Sequence, residues 1–184
     1  LPGMGHALPP VPHIHYLGRT GIHSMEETLR QEPADILKVV LFGPESTGKT
    51  TLAADLARTY QTVWVPEDAR KYLQDKWERE GLSCEPEDLL PIAIGQMRLE
   101  NTLGRQANRL LVCDTDLLET KVYSEVYYGG YCDPLLEKYA LENQYDLYFL
   151  TGIDVPWEAD DLRDKPRERE EMFSHFREAL VESN

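Results

Sequence analysis

Gly43-Pro44-Glu45-Ser46-Thr47-Gly48-Lys49-Thr50 has the spacing G-x-x-x-x-G-K-T. It follows the run ILKVVLF at 36–42, which is apolar apart from one lysine. Such a continuous run fits a strand buried on both faces of a parallel sheet. Behind it, 50–60 places Leu52, Ala53, Leu56 and Ala57 on one helical face. A glycine-rich turn between a buried strand and a helix is the context in which this pattern cradles phosphate. Gly43 and Gly48 allow close backbone approach. The N–H groups of 43–50 then converge on phosphate oxygens at a helix N-terminus. Lys49 supplies a cation for the β- and γ-phosphates, and the Thr50 hydroxyl can ligate Mg²⁺. Glu45, Ser46, Thr47 and Thr51 complete the expected nucleotide-binding segment. A chance glycine turn is the competing reading, and the flanking strand and helix argue against it.

The same alternation continues downstream. Segments 62–65, 110–113 and 147–151 read as strands. Segments 69–80, 117–128, 134–143 and 167–183 read as helices, and 86–108 as one long helix or a broken pair with Pro91 and Gly95 as weak points. Strands alternating with helices predict an α/β P-loop NTPase fold. The expected parallel sheet has the order 2-3-1-4, with helices on both faces. Ligands on such sheets bind beyond the carboxyl ends of the strands, so the functional residues belong after 42, 65, 113 and 151.

Three of those ends carry charged residues. The third strand runs into Asp114-Thr115-Asp116. An apolar strand ending in aspartate is the Walker B arrangement, with Asp114 as a Mg²⁺ ligand; capping of the next helix is the alternative. Asp116 fits the cap better and stays open between cap and substrate ligand. The second strand ends in Glu67, with Arg70 three residues on and near the same helical face. Glu67 can take the proton of an attacking hydroxyl or bind sugar hydroxyls. A solvated first turn with favourable helix-dipole charge is the alternative. The fourth strand is followed by 152–169, rich in Arg and Lys and holding two prolines. It reads as a lid in which Arg163 or Arg167 neutralises transferring charge, or as a surface loop with ordinary ion pairs. Gln96, Arg98, Tyr127 and Tyr128 are weak pocket candidates, since aromatics at helical spacing are more often core.

Composition narrows the partners. The 184 residues suit one domain. The formal charge is -14, from 33 acids against 19 bases, which argues against nucleic acid. No stretch approaches the ~20 apolar residues of a membrane-spanning helix. Three cysteines without CxxC spacing argue against a disulfide framework or zinc site and fit a reducing cytoplasm. Cys113 reads as core. Segment 1–24 holds four of the five histidines, four prolines and no acid. It is expected to be a disordered leader, His13 and His15 offering only a weak metal alternative. The domain itself is expected over 25–184, with Met25 a plausible start. Oligomeric state is not legible.

Taken together, GPESTGKTTL at 43–52, Glu67 with Arg70, Asp114-Thr115-Asp116 and VPWEADDLR at 155–163 resemble the nicotinamide riboside kinase domain family. These are the NadR-like P-loop kinases, with AAA-type ATPase relatives. The resemblance covers about position 37 to the end, and the PW-x-AD-x-LR string is its most specific part. It implies a kinase moving the γ-phosphoryl of ATP to the 5′-hydroxyl of nicotinamide riboside. It implies that Lys49 and 43–50 hold ATP and that Thr50 and Asp114 serve Mg²⁺. Glu67, Arg70 and Asp116 would face the riboside, with Glu67 or Asp116 as base, and Arg163 would belong to the lid. The family's kinase region continues into a further strand and helix, so the resemblance also implies a domain shortened at 184. A non-catalytic or slow NTP-binding ATPase, or a kinase for another nucleoside, are the alternatives.

Overall fold

The structure is a computed structural model, and it describes residues 19–156 and 169–183. At its centre is a four-stranded parallel sheet in the order β2-β3-β1-β4. The strands are β1 (Leu37–Phe42), β2 (Trp64–Val65), β3 (Leu110–Asp114) and β4 (Leu147–Leu150). Val40 pairs with Cys113 and with Tyr148 across the sheet, so β1 is a central strand. The expected order and α/β class are therefore those observed.

Burial follows the two-residue period of strands. Val40, Phe42, Leu111 and Cys113 point to one face, where Leu118 and Val122 of α5 (Leu117–Tyr127) and Met172 and Phe176 of α7 (Arg169–Glu182) cover them. Leu41 and Val112 point to the other, against Ala53 of α2 (Lys49–Thr59). The central strands bury both faces, which is why they read as continuous apolar runs. β4 lies at an edge, and its Leu147 and Phe149 are half exposed.

A second core lies beside the sheet. Leu89, Ala93 and Met97 of α4 (Pro86–Gly104) pack with Leu117 and with Leu136, Tyr139 and Ala140 of α6 (Pro134–Glu142). Leu29 joins them from α1 (Arg19–Leu29) and is fully buried. This helix starts at Arg19, inside the stretch expected to be a leader over 1–24. Tertiary burial of Leu29 stabilises it where local sequence gave little signal.

The helix α4 is unbroken through Pro91 and Gly95. Gly95 is a contact point: a Cβ there would lie 1.9 Å from Asp68 Oδ2 at the start of α3 (Asp68–Glu80). The adjacent Gln96 Oε1 accepts the Asp68 N–H at 2.8 Å. Farther along, buried Lys76 donates to Asp88 at 2.6 Å and to Glu85 at 3.0 Å, and Asp88 closes a capping box with Glu85. These contacts fix α3, and with it the end of β2, against α4. Asp88→Ala would leave Lys76 with only the exposed Glu85 and remove the cap. A loss of about 3 kcal/mol is expected, since breaking a buried pair strands the other charge. In thermal melting this is a drop of roughly 10 °C for a chain of this size.

Candidate functional site

The carboxyl ends of β1, β3 and β4 converge on the 43–50 loop. Gly43 has φ +141°, and a Cβ on it would lie 2.6 Å from Thr151 Oγ1 and 3.1 Å from the Thr151 carbonyl. Thr151 in turn donates its N–H to the Phe42 carbonyl at 2.8 Å, and its hydroxyl lies 2.7 Å from that of Thr47. The first glycine is thus required by backbone angle and by the close approach of the β4 end. The second, Gly48, has φ +82° and caps α2 without any side-chain acceptor. A Cβ there would meet nothing within 4 Å. Gly48, Lys49, Thr50 and Thr51 at the start of α2 line an open cleft, as an anion cradle at a helix N-terminus needs.

Lys49 is folded back over this cradle. Its ammonium donates to the Gly43 and Pro44 carbonyls at 2.5 and 2.9 Å and lies 3.2 Å from Glu119 Oε1. Next to it, the Thr50 hydroxyl donates to Asp114 Oδ2 at 2.6 Å. Asp114 is 1% exposed, and its Oδ1 has no hydrogen-bond partner among the described residues. A hydroxyl beside a carboxylate with an unused buried oxygen is a hard-oxygen donor set, and these residues fit Mg²⁺. Burial holds the Asp114 carboxyl above the usual carboxylate range, with Thr50, Lys49 and Arg70 pulling it back. Thr115, directly after it, sits at φ +71°, a strained conformation for a β-branched residue.

One cleft is lined by Glu45, Ser46, Thr47, Gly48, Lys49, Thr50 and Thr51. Glu67 and Arg70 line the same cleft, as do Glu119, Tyr123, Val155 and Pro156. The phosphate cradle and the Glu67–Arg70 wall, distant in sequence, therefore share a cavity. Glu67 is the N-cap residue of α3, yet its side chain makes no capping hydrogen bond.

Asp116 is placed differently. Its Oδ1 accepts the Glu119 N–H at 3.0 Å as the cap of α5, and its Oδ2 accepts the Tyr148 hydroxyl at 2.6 Å. It is 1% exposed and does not line the cleft; burial pushes its carboxyl up to about 7. This is the cap reading of Asp116. Gln96 and Tyr128 are likewise outside the cleft: the first anchors Asp68, and the second donates to the Cys84 carbonyl at 3.0 Å. Tyr127 packs on Tyr123 at a centroid distance of 5.7 Å. Arg163 and Arg167 lie outside the described residues, as does most of the 155–163 string.

Sequence reading missed three cleft neighbours. Glu119 is 3% exposed, and its Oε2 accepts the Gly43 N–H at 3.3 Å. Tyr123 follows it by one turn on α5. Arg169, in the first turn of α7, donates to the carbonyls of Ser46 and Val155 at 3.2 and 3.0 Å, tying that helix to the phosphate loop. A signal existed for the pair on α5, since Glu119 and Tyr123 have i,i+4 spacing just after the Asp114 strand end.

The strand order, the glycine-dependent cradle and the Thr50–Asp114 pair define a P-loop protein, a nucleotide-binding class of α/β fold. The chain belongs to the AAA domain family, whose model matches residues 38–184. It is also similar to the trifunctional NAD biosynthesis/regulator protein NadR of Escherichia coli (strain K12). Identity is 28% over 155 residues, covering 83% of this chain and 38% of that protein. NadR of Salmonella typhimurium is 29% identical over 132 residues, covering 72% of this chain and 32% of the relative. The chain thus spans well under half the length of these curated relatives. Two solved structures share the fold, each aligned over 80% of this chain. A NadR crystal structure in complex with NR has a TM-score of 0.65 at 23% identity and is covered over 43% of its length. A NadR crystal structure with NAD and AMP-PNP has a TM-score of 0.62 at 24% identity and is covered over 42%. Among the described residues no helix is long and apolar enough to cross a membrane.

Proposed function

We propose that the chain is an ATP-dependent kinase that phosphorylates the 5′-hydroxyl of nicotinamide riboside to give nicotinamide mononucleotide. The observation that carries the kinase reading is the shared cleft, in which the cradle of 43–51 faces Glu67 and Arg70. A charged pair lining the same cleft as the phosphate loop suits an acceptor site, where a carboxylate can take the proton of an attacking hydroxyl. The choice of acceptor is supported by the similar NadR proteins, named for NAD biosynthesis, one of them crystallised with NR.

In this reading the loop N–H groups and Lys49 hold the β- and γ-phosphates of ATP. Thr50 and Asp114 hold Mg²⁺, which when bound neutralises charge on the phosphate oxygens. Glu67 accepts the proton of the acceptor hydroxyl as its oxygen attacks the γ-phosphorus, and the leaving ADP keeps the bridging oxygen. Arg70 holds the acceptor or the phosphoryl oxygens in line. Arg163 and Arg167 complete the charge neutralisation from the 152–169 segment. Little covalent work falls to the protein, so positioning and charge compensation carry the rate. Asp116 supports the site from below by fixing α5.

The test is ATP turnover measured with and without nicotinamide riboside, with the mononucleotide followed chromatographically. Riboside-dependent ADP release matched by mononucleotide formation is the expected result. Turnover indifferent to riboside, with no mononucleotide formed, would refute the assignment and favour a hydrolysing switch. Turnover stimulated only by another nucleoside would retain the kinase and change its acceptor.

A further inference from the structure

Glu119 stands in the phosphate cradle without a part in the reaction above. It reaches the cradle from the first turn of α5, held there by the Asp116 cap. Each of its carboxylate oxygens takes a group that the cradle offers to an anion. Oε1 lies 3.2 Å from the Lys49 ammonium, and Oε2 accepts the Gly43 N–H at 3.3 Å. Both partners of the ion pair are more than nine-tenths buried, so little solvent screens the attraction. The rest of the Lys49 ammonium is taken by the Gly43 and Pro44 carbonyls, leaving it no donor in reserve for a ligand.

We infer that Glu119 is the resident counter-ion of the phosphate loop, and that an incoming nucleoside triphosphate must displace it from Lys49. This rests on the triphosphate reading of the cleft and deepens it by naming what the ligand competes with. Before binding, the Glu119 carboxylate keeps Lys49 compact over the loop and compensates a cation that would otherwise be buried alone. On binding, phosphate oxygens take Lys49. Glu119 is then a second anion beside them and must turn away or take up a proton. Both ends of the equilibrium act in the same direction: Glu119 stabilises the empty loop and opposes the filled one. It therefore sets triphosphate affinity below what the loop alone would give, and it favours release of the product nucleotide.

The test is equilibrium binding of the non-hydrolysable ATP analogue AMP-PNP, with and without Mg²⁺, to the wild-type chain and to Glu119→Gln. Glutamine keeps the size and can still accept the Gly43 N–H, but it cannot pair with Lys49. The expected result is tighter binding by about tenfold, the scale of one close charge pair. In the Lys49→Met background the same change should gain almost nothing, because the contested ammonium is gone. Should Glu119→Gln fold poorly by thermal melting, Glu119→Asp serves instead: one methylene shorter, it loses reach to Lys49 and should also tighten binding. Unchanged affinity in a wild-type chain that binds AMP-PNP would overturn the inference and leave the triphosphate reading standing. Weaker binding confined to the Mg²⁺ arm would overturn it in favour of a metal-supporting role. An equal gain without Lys49 would overturn it in favour of general charge repulsion. A wild-type chain that binds no analogue would overturn both readings.

Discussion

Lys49→Ala is expected to lower riboside-dependent phosphoryl transfer by about 10³-fold, at the upper end of what removing one preorganised donor does to a reaction. Binding of the ATP analogue should weaken as well, because the ammonium meets the phosphates in ground and transition states alike. The geometry explains why no neighbour substitutes. Lys49 is the first residue of α2, 7% exposed, and is aimed by the Gly43 and Pro44 carbonyls into the mouth of the loop. Arg169, a further cation at the loop, is occupied with the Ser46 and Val155 carbonyls. The fold should survive. Removing Lys49 leaves Glu119 without its cation, but its Oε2 keeps the Gly43 N–H. Steady-state rates, analogue titration and thermal melting together check the expectation. A variant with full activity would refute the cradle assignment, and one that fails to fold would make Lys49 a structural residue.

Much of this was legible because burial and backbone geometry constrain sequence tightly at particular places. The strands β1 and β3 bury both faces, so no other residue classes fit, and their apolar runs stand out. Gly43 and Gly48 sit at φ +141° and +82°, and the fixed spacing between them follows from a loop that must close on itself. Asp114 stood out as the carboxylate ending an apolar strand, with a helix cap as the other reading, and it accepts the Thr50 hydroxyl. What was not legible depends on distant contacts. The helix α1 is anchored by Leu29, which is buried among α4 and α6 residues. Gly95 looked like a helix weakness and is instead the space that Asp68 occupies. β2 shrinks to two residues, and Thr62 beside it spends its hydroxyl on the Leu110 carbonyl and the Asn108 N–H. Glu119 escaped notice because an acid in the first turn of a helix already has an ordinary explanation in the helix dipole. Only the approach of α5 to the phosphate loop distinguishes it from any other first-turn acid.

Glu67→Gln should separate chemistry from nucleotide binding. Loss of a general base slows proton transfer by about 10²- to 10⁴-fold, and a drop in kcat of that order is expected. Affinity for the ATP analogue should stay within about twofold, since the change removes one carboxylate of the cleft lining and no donor from the cradle. Stability should also hold. Glu67 occupies the N-cap position of α3 without using its side chain as a cap, and α3 is fixed by other means. Those are the Gln96 hydrogen bond to Asp68 and the Lys76–Asp88 pair. The substitution keeps the size of the side chain and removes its charge. A rise in riboside KM with unchanged kcat would instead make Glu67 a ligand for the acceptor's hydroxyls. A loss of analogue binding would move it to the nucleotide side of the cleft. If rate, KM and affinity were all unchanged, the Glu67–Arg70 wall would be a solvated helix start and the acceptor would have to be sought elsewhere along α5, where Tyr123 lines the same cavity.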